Sequence, residues 1–490
     1  MKALIEALNL PEDNKLFIDG AWVQSNSPHR YSVIDPGTSI PLMSNAIACA
    51  DDIEKAVHSS TQGQQNWQEL TPSERALCLF DLARALEECL QEFATVEAID
   101  TGKPYSEAQG DIQVCIDFLR FYAGLCDKIH GETIPIDPTQ MSFTIKEPVG
   151  VTLHIIPWNF PLFTCIRGIA PALAAGCSVI IKPSEHAPAS ILKFAQLTAE
   201  INFPSGVINV ITGFGLPTGE LLCQHPAIKH ITFTGSKKTG TQVLKCAANN
   251  MTTCTMELGG KSPAIVFGDA DIDSAVEDVF VASFLNSGQV CSCASRIILD
   301  RSIKNVFSEK LTSKVANSDM GHGMTDRQFA AINNQTQLDK IETFVNQAIQ
   351  EGAEILIGGK RHIDPEHPNG LYFLPTIIDN LPPDSALLTQ EIFGPVICLQ
   401  TFEDEEQAVC LANNSEFGLQ AGIYTRDVTR ALRISKKIDA GQVNINQYYT
   451  SEVYIPFGGN KSSGFGRECG AGAVENYLKI KATSINLNIE

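Results

Sequence analysis

The chain has 490 residues, 44% of them hydrophobic, and 36 basic against 56 acidic side chains give a formal net charge of −20. A surface this acidic repels phosphate backbones and anionic lipid, so neither nucleic acid nor membrane is expected as a partner. The apolar content is too high for a disordered chain, and at roughly 150 residues per domain the length suggests two large domains or about three.

The opening residues Met1-Lys2-Ala3-Leu4-Ile5-Glu6 contain no apolar run before the first acid, so no secretory signal is read. The fifteen cysteines are scattered and odd in number, which predicts free thiols in a reducing cytosol and a cytoplasmic protein. The longest uncharged apolar stretch, residues 168–181, is too short to cross a bilayer and contains Pro171.

The first third reads as mainly helical. Asp51 and Asp52 are expected to cap a helix through Ile53, Ala56 and Val57. Thr71-Pro72-Ser73-Glu74 predicts a helix start, because Thr71 can accept from the Glu74 amide while the Glu74 carboxylate reaches back. Leu79, Leu82, Leu86 and Leu90 follow at helical spacing, and Gly102 and Pro104 signal a stop.

From Val149 the texture changes. Residues 151–156, 178–181, 207–211 and 231–233 are short β-branched apolar runs separated by helical segments such as 187–201. That alternation predicts an α/β fold with a parallel sheet, whose ligands sit beyond the carboxyl ends of the strands. The unusual residues fall there: Pro157-Trp158-Asn159-Phe160-Pro161, Lys182-Pro183-Ser184-Glu185, Thr212-Gly213-Phe214-Gly215, and Thr234-Gly235-Ser236 with Gly240 beyond. Together they suggest one nucleotide-sized site. A second α/β segment covers about 261–457, and a glycine- and serine-rich stretch at 456–468 predicts an irregular, tightly packed loop.

Several residues could carry chemistry. Cys291 sits in the turn-rich Asn286-Ser287-Gly288-Gln289-Val290-Cys291-Ser292-Cys293 and could be a nucleophile, although any single cysteine is also a small buried apolar group. Glu257 precedes Leu258-Gly259-Gly260 and reads either as a poised base or as a surface acid beside a turn. Gly235 and Gly240 could open a helix toward a phosphate, or mark two turns. Lys182 and Glu185 could grip sugar hydroxyls, or pair with each other at a helix start. No Cys/His cluster suggests a metal.

Read together, these segments resemble the NAD(P)-dependent aldehyde dehydrogenase superfamily, of the non-acylating, hydrolytic branch. The matching stretches are Pro157 to Pro161, Lys182 to Glu185, Phe233-Thr234-Gly235-Ser236, Glu257-Leu258-Gly259-Gly260-Lys261, Gly288-Gln289-Val290-Cys291, Glu391-Ile392-Phe393-Gly394-Pro395 and Pro456-Phe457-Gly458-Gly459. The likeness extends from about Phe17 to about Lys481. It implies a Rossmann-like NAD(P)-binding domain (1–127 and 147–257), an α/β catalytic domain (258–465) and a small β oligomerisation extension (128–146 and 466–490), assembled as a homodimer or homotetramer.

The resemblance also implies roles. Cys291 would be the nucleophile, Asn159 an oxyanion donor, and Glu257 the base that activates water. Cofactor contacts would come from Ile155, Pro157, Trp158, Lys182, Ser184, Glu185, Gly215, Gly219, Phe233, Thr234, Gly235, Ser236, Leu258, Glu391, Phe393, Gln337 and Lys340. Glu185 favours NAD, because a carboxylate there repels a 2′-phosphate, while Ser184 leaves room for NADP. The aldehyde tunnel would be lined by Phe160, Thr164, Arg167, Val290, Ser292 and Ser451. Arg167 resembles the carboxylate anchor of semialdehyde enzymes and a residue of some aromatic-aldehyde enzymes; it also reads as an ion-paired structural arginine. The competing readings are a catalytically silent member acting as a binding protein, and a thiol-redox or acyl-transfer enzyme using Cys291 and Cys293.

Overall fold

The computed structural model describes residues 10, 15–450 and 453–488. Its largest sheet has eight strands in the order Ala21–Gln24, Lys15–Ile18, Ile208–Val210, Ser178–Lys182, Val151–Ile155, Ile228–Thr234, Thr253–Glu257, Gly464–Phe465. The five central strands are parallel, and antiparallel strands close both edges. The chain moves outward from Val151–Ile155 in one direction, then returns to build on its other side with Ile228–Thr234. That reversal opens a crevice between the carboxyl ends of these two strands, the usual ligand position in such sheets.

A second sheet has seven strands, in the order Glu354–Ile357, Thr376–Asp379, Val396–Phe402, Ala294–Asp300, Ser262–Val266, Gln420–Tyr424, Gln442–Ile445, all parallel except the first. A third sheet pairs Gln140–Pro148 with Leu478–Asn486 along their whole length, with Thr133–Ile134 beside them. These α/β layers match the fold class expected from the alternating runs. Among the described residues no disulfide joins the cysteines, and no helix is long and apolar enough to cross a membrane.

Local signals explain many boundaries. Thr71 caps Pro72–Glu88 as expected: Thr71 Oγ1 accepts from Glu74 N, and the Glu74 carboxylate accepts from Thr71 N at 2.8 Å. Gly102 ends Leu90–Thr101 in the left-handed region, at φ 86°. Other expectations need correction. Asp51 does not cap its helix, and Asp52 does so from within the first turn: Cys49 is the N-cap of Ala50–Glu69, and Asp52 closes a capping box by accepting from Cys49 N, and also accepts from Ser25 Oγ. Leu90 starts a new helix, because the first one ends at Cys89, which leaves helical geometry at φ −106° and ψ 12°. The supposedly helical first third begins with the hairpins Lys15–Gln24 and Arg30–Ala46, whose strands are too short and mixed to show a clear period. Gly240 lies inside Lys237–Ala248 and does not open it; a Cβ there would meet Leu258 Cδ2 at 2.7 Å, so the glycine permits helix–sheet contact.

The glycine-rich stretch has more structure than a loop. Gly464 and Phe465 form the edge strand beside Met256 and Glu257. Just before them, Ser463 O accepts from Leu258 N at 2.9 Å, and Ser463 Oγ donates to Gly259 O at 2.7 Å.

Candidate active site

A cleft of about 270 Å³ lies at the crevice between the two central strands and is closed over by loops of the second sheet. Strand Val151–Ile155 delivers Pro157, Trp158 and Asn159, and Pro161 starts the helix Pro161–Ala175 immediately after. Asn159 is buried. Its Nδ2 donates to Gln289 O at 2.9 Å, and its carbonyl accepts from Asn286 Nδ2 at 3.0 Å. A primary amide has two donor hydrogens, so one remains for a second acceptor.

Cys291 follows an unusual turn. Asn286, Ser287 and Gly288 stand in succession at φ 48°, 52° and 71°. For the two non-glycine residues this costs on the order of 1 kcal/mol each, so neighbouring segments must hold them. Glu107 accepts from Asn286 N at 2.8 Å. Ser287 Oγ donates to Ala330 O at 3.0 Å and accepts from Ala330 N at 3.1 Å. Gln289 donates to Asn286 O at 3.0 Å and accepts from Asn333 N at 2.9 Å. Removing the Glu107 acceptor leaves a buried N–H without a partner, at about 1–3 kcal/mol. Glu107→Ala is therefore expected to lower kcat about tenfold with little change in KM, and Glu107→Gln, whose amide oxygen accepts the same N–H, should restore it. Equal losses in both variants, by steady-state kinetics, would exclude this positioning role.

Cys291 is partly open to the cleft, yet its surroundings push the thiol up to about 12. Burial is the main cause, Arg167 opposes it, and Glu391, Glu257 and Cys293 add to it. The backbone packs closely here: a Cβ on Gly260 would meet Cys291 O at 2.4 Å. Cys293 is buried, and burial likewise pushes its thiol up to about 12.

Glu257 ends its strand with 2% exposure and lines the same cleft, and among the described residues neither of its carboxyl oxygens is hydrogen-bonded. Burial raises its proton affinity well above the ordinary carboxylate range. Glu468 raises it further, and Arg167 and Arg467 oppose. Gly458 allows the tight approach, since a Cβ there would lie 2.7 Å from Glu257 Oε1. Arg167 also lines the cleft, and its Nε lies 2.5 Å from Glu468 Oε2. Phe160, Thr164, Val290 and Ser292 complete the tunnel residues found in the cleft, while Ser451 lies outside the described residues.

Toward the other end stand Thr234, Gly235, Ser236, Leu258, Gln337, Lys340, Glu391 and Phe393. Ser236 is the N-cap of Lys237–Ala248, a helix end that favours an anion. Glu391 is fixed by Gly260 N at 2.9 Å, and a Cβ on Gly259 would meet its carboxyl at 2.4 Å and displace it. The Trp158 and Phe393 rings meet edge to face at 5.2 Å. Gln337 lines the cleft, and its Nε2 donates to Ile392 O at 2.7 Å and Phe393 O at 2.8 Å, holding the loop that carries Phe393 at φ 61°.

Ile155, Phe233, Lys182, Ser184, Glu185, Gly215 and Gly219 do not line the cleft; the first five lie on strands and the loops after them in the same sheet, and the two glycines bound the short helical segment Gly215–Gly219. Lys182 is buried and lies 3.6 Å from Glu185, and a Cβ on Gly219 would touch its stem at 3.7 Å. Burial lowers the Lys182 ammonium's proton affinity, and Glu185 opposes that shift. Sequence reasoning misses Glu107, Asn286 and Glu468 as parts of the site. Asn286 and Glu468 lie in motif stretches that could have flagged them, whereas nothing near Glu107 does.

The chain is similar to known proteins over most of its length. The model of the "Aldehyde dehydrogenase family" matches residues 22–483. An aldehyde dehydrogenase of Aspergillus niger is 38% identical over 475 residues, covering 96% of this chain and 95% of that protein. Among solved structures, the chain is similar to a betaine aldehyde dehydrogenase of Staphylococcus aureus in complex with NAD+, at TM-score 0.96 and 35% identity, over 100% of this chain and 98% of that one. It is also similar to an NAD+ complex of an aldehyde dehydrogenase from Bacillus cereus, at TM-score 0.96 and 36% identity, over 100% of this chain and 99% of that one. A buried acid, an amide and a cysteine facing one cleft, on a fold shared over nearly the whole length, lead to one conclusion: the chain belongs to the aldehyde dehydrogenase family.

Proposed function

We propose that the protein oxidises an aldehyde to the carboxylic acid with NAD as hydride acceptor, through a covalent intermediate on Cys291. The observation that carries this reading is the convergence of Cys291, Glu257 and Asn159 on one cleft. The Cys291 sulfur, as thiolate, adds to the aldehyde carbon. The carbonyl oxygen becomes an oxyanion, with the free hydrogen of Asn159 Nδ2 and the Cys291 amide as its donors, each worth a few kcal/mol. Loss of hydride leaves a thioester. Glu257 takes a proton from water, the hydroxyl attacks the acyl carbon, and the carbon–sulfur bond breaks. The balance is one aldehyde, one NAD+ and one water in; one acid, one NADH and one proton out. The presence of Glu257 favours release by water over transfer of the acyl group to another thiol.

The residues present fit a dinucleotide. Ser236 caps a helix whose N-terminus suits a pyrophosphate, Thr234 Oγ1 is buried without a partner beside it, and Glu185 and Glu391 are acceptors for ribose diols. When bound, NAD would supply the hydride acceptor; Trp158, Phe393 and Glu391 would orient it. NAD+ is present in the two similar structures named above, and Glu185 supports NAD over NADP. We assign cofactor binding to residues 1–127 and 147–257, catalysis to 258–465, and assembly of a homodimer or homotetramer to 128–146 and 466–490. The long Leu478–Asn486 edge supports the last assignment. The substrate is a semialdehyde or an aromatic aldehyde.

The test is to mix protein, NAD and a panel of aldehydes. NADH absorbance should rise with acid formed in equal amount. Tight NAD binding without turnover on any aldehyde would favour a silent binding protein instead.

A further inference from the structure

Arg167 sits on the helix Pro161–Ala175 with its side chain on the tunnel, where a lone guanidinium would attract a substrate carboxylate. It is not alone. Its Nε lies 2.5 Å from Glu468 Oε2, and the two side chains are only 6% and 2% exposed. The guanidinium carbon lies 5.5 Å from the Phe163 ring centroid and 5.2 Å from that of Phe457, so aromatic faces hold the arginine against its partner. A charge desolvated this far stays with its counter-ion, because parting them strands both in a medium that cannot solvate them.

The other charges along the tunnel add nothing for an anion. Asp111 lines it but is paired with Lys103 at 2.5 Å, and Lys103 is itself covered by the Phe160 ring at 3.9 Å. Behind Lys103 stands the buried Glu97, at 4.0 Å. Glu257 contributes either nothing or one negative charge, according to its protonation. Arg467, which also acts on Glu257, does not line the cleft and donates to Gly459 O, Gly466 O and Asn460 Oδ1, so among the described residues no unpaired cation lines this end. Lys340 and Glu391 belong to the opposite end, beside Phe393. A charged substrate of either sign would thus find Arg167 and Asp111 already paired, with no free counter-charge of theirs to meet. The remaining wall is mainly apolar, with Val114, Phe160, Phe163, Leu285, Tyr449 and Phe457 beside the hydroxyl-bearing Thr164 and Ser292.

We infer that the tunnel selects an uncharged aldehyde with an aromatic or similarly broad apolar group, and that the Arg167–Glu468 pair excludes carboxylate-bearing semialdehydes. This rests on the aldehyde-oxidising reading above and chooses between its two substrate classes. Arg167 is then a wall residue locked by its partner, not a substrate anchor.

The test compares kcat/KM for benzaldehyde, 4-carboxybenzaldehyde, succinic semialdehyde and a trimethylammonium aldehyde. Benzaldehyde should exceed each charged substrate by about tenfold or more, since a desolvated charge without a partner is strongly rejected. Any charged substrate equal to or better than benzaldehyde overturns the inference and leaves the function standing. No turnover on any aldehyde overturns both. Glu468→Gln removes the counter-charge and keeps the shape. It should raise the ratio of 4-carboxybenzaldehyde to benzaldehyde kcat/KM about tenfold, even if both rates fall, because a common loss cancels in the ratio. An unchanged ratio would mean that Glu468 does not cancel Arg167.

Discussion

Cys291→Ala is expected to abolish aldehyde-dependent NADH formation, with a loss on the order of 10⁴-fold or more, while NAD binding persists. The reason is chemical: without sulfur no covalent adduct forms, and an uncharged aldehyde carbonyl releases no hydride unless a nucleophile first makes its carbon tetrahedral. Cys293→Ser should stay within about twofold of the parent enzyme, because Cys293 is buried and does not line the cleft. Initial rates, with NAD titrated by intrinsic fluorescence, separate chemistry from binding. A Cys291→Ala rate close to the parent, or a matching collapse on replacing Cys293, would move the nucleophile elsewhere. The thiol also makes a pH statement. Its pKa is pushed up to about 12 without ligands, so the thiolate is scarce at neutral pH. Iodoacetamide labelling of Cys291 should therefore accelerate about tenfold per unit between about pH 7 and 9. A flat profile would mean that the thiolate exists before cofactor arrives.

Glu257→Gln is expected to give one rapid burst of NADH per site and then stall, with steady-state turnover down about 10²–10⁴-fold. The amide keeps the shape but cannot take a proton from water, so the acyl group stays on Cys291. The parent enzyme carries the matching pH signature. Burial and Glu468 raise the Glu257 proton affinity, and the active form is the carboxylate. Thioester hydrolysis should thus weaken as pH falls, beginning well above the ordinary glutamate pKa of about 4.3. That acid limb should vanish in Glu257→Gln. Stopped-flow absorbance measures both quantities, and loss of the burst itself would place Glu257 before hydride loss.

What could be read from the residues divides by the range of the interaction. The Thr71–Glu74 cap was legible because both partners sit within one turn. The parallel strands after Val149 were legible because strands buried on both faces are apolar throughout. Pro157 to Phe160, Glu257 and Cys291 became a site only through their joint resemblance to a family; each alone reads equally well as turn or core. Glu107 was invisible. Its contact with Asn286 joins residues far apart in sequence, and nothing in the Glu107 neighbourhood announces an acceptor for a strained turn. The same holds for Arg167. A sequence shows a guanidinium but not the Glu468 carboxylate folded against it.

The edge strand Gly464–Phe465 has a consequence for how the enzyme is born. Glu257 is synthesised midway along the chain, but the neighbour that pins its strand, and the Ser463 contacts beside it, come from one of the later segments to leave the ribosome. Folding during synthesis proceeds from the amino end. A nascent polypeptide can therefore complete its parallel strands and the turn before Cys291 while Glu257 still lacks its edge support. The strand that ends in Glu257 remains an open edge until that late segment arrives to pair with it.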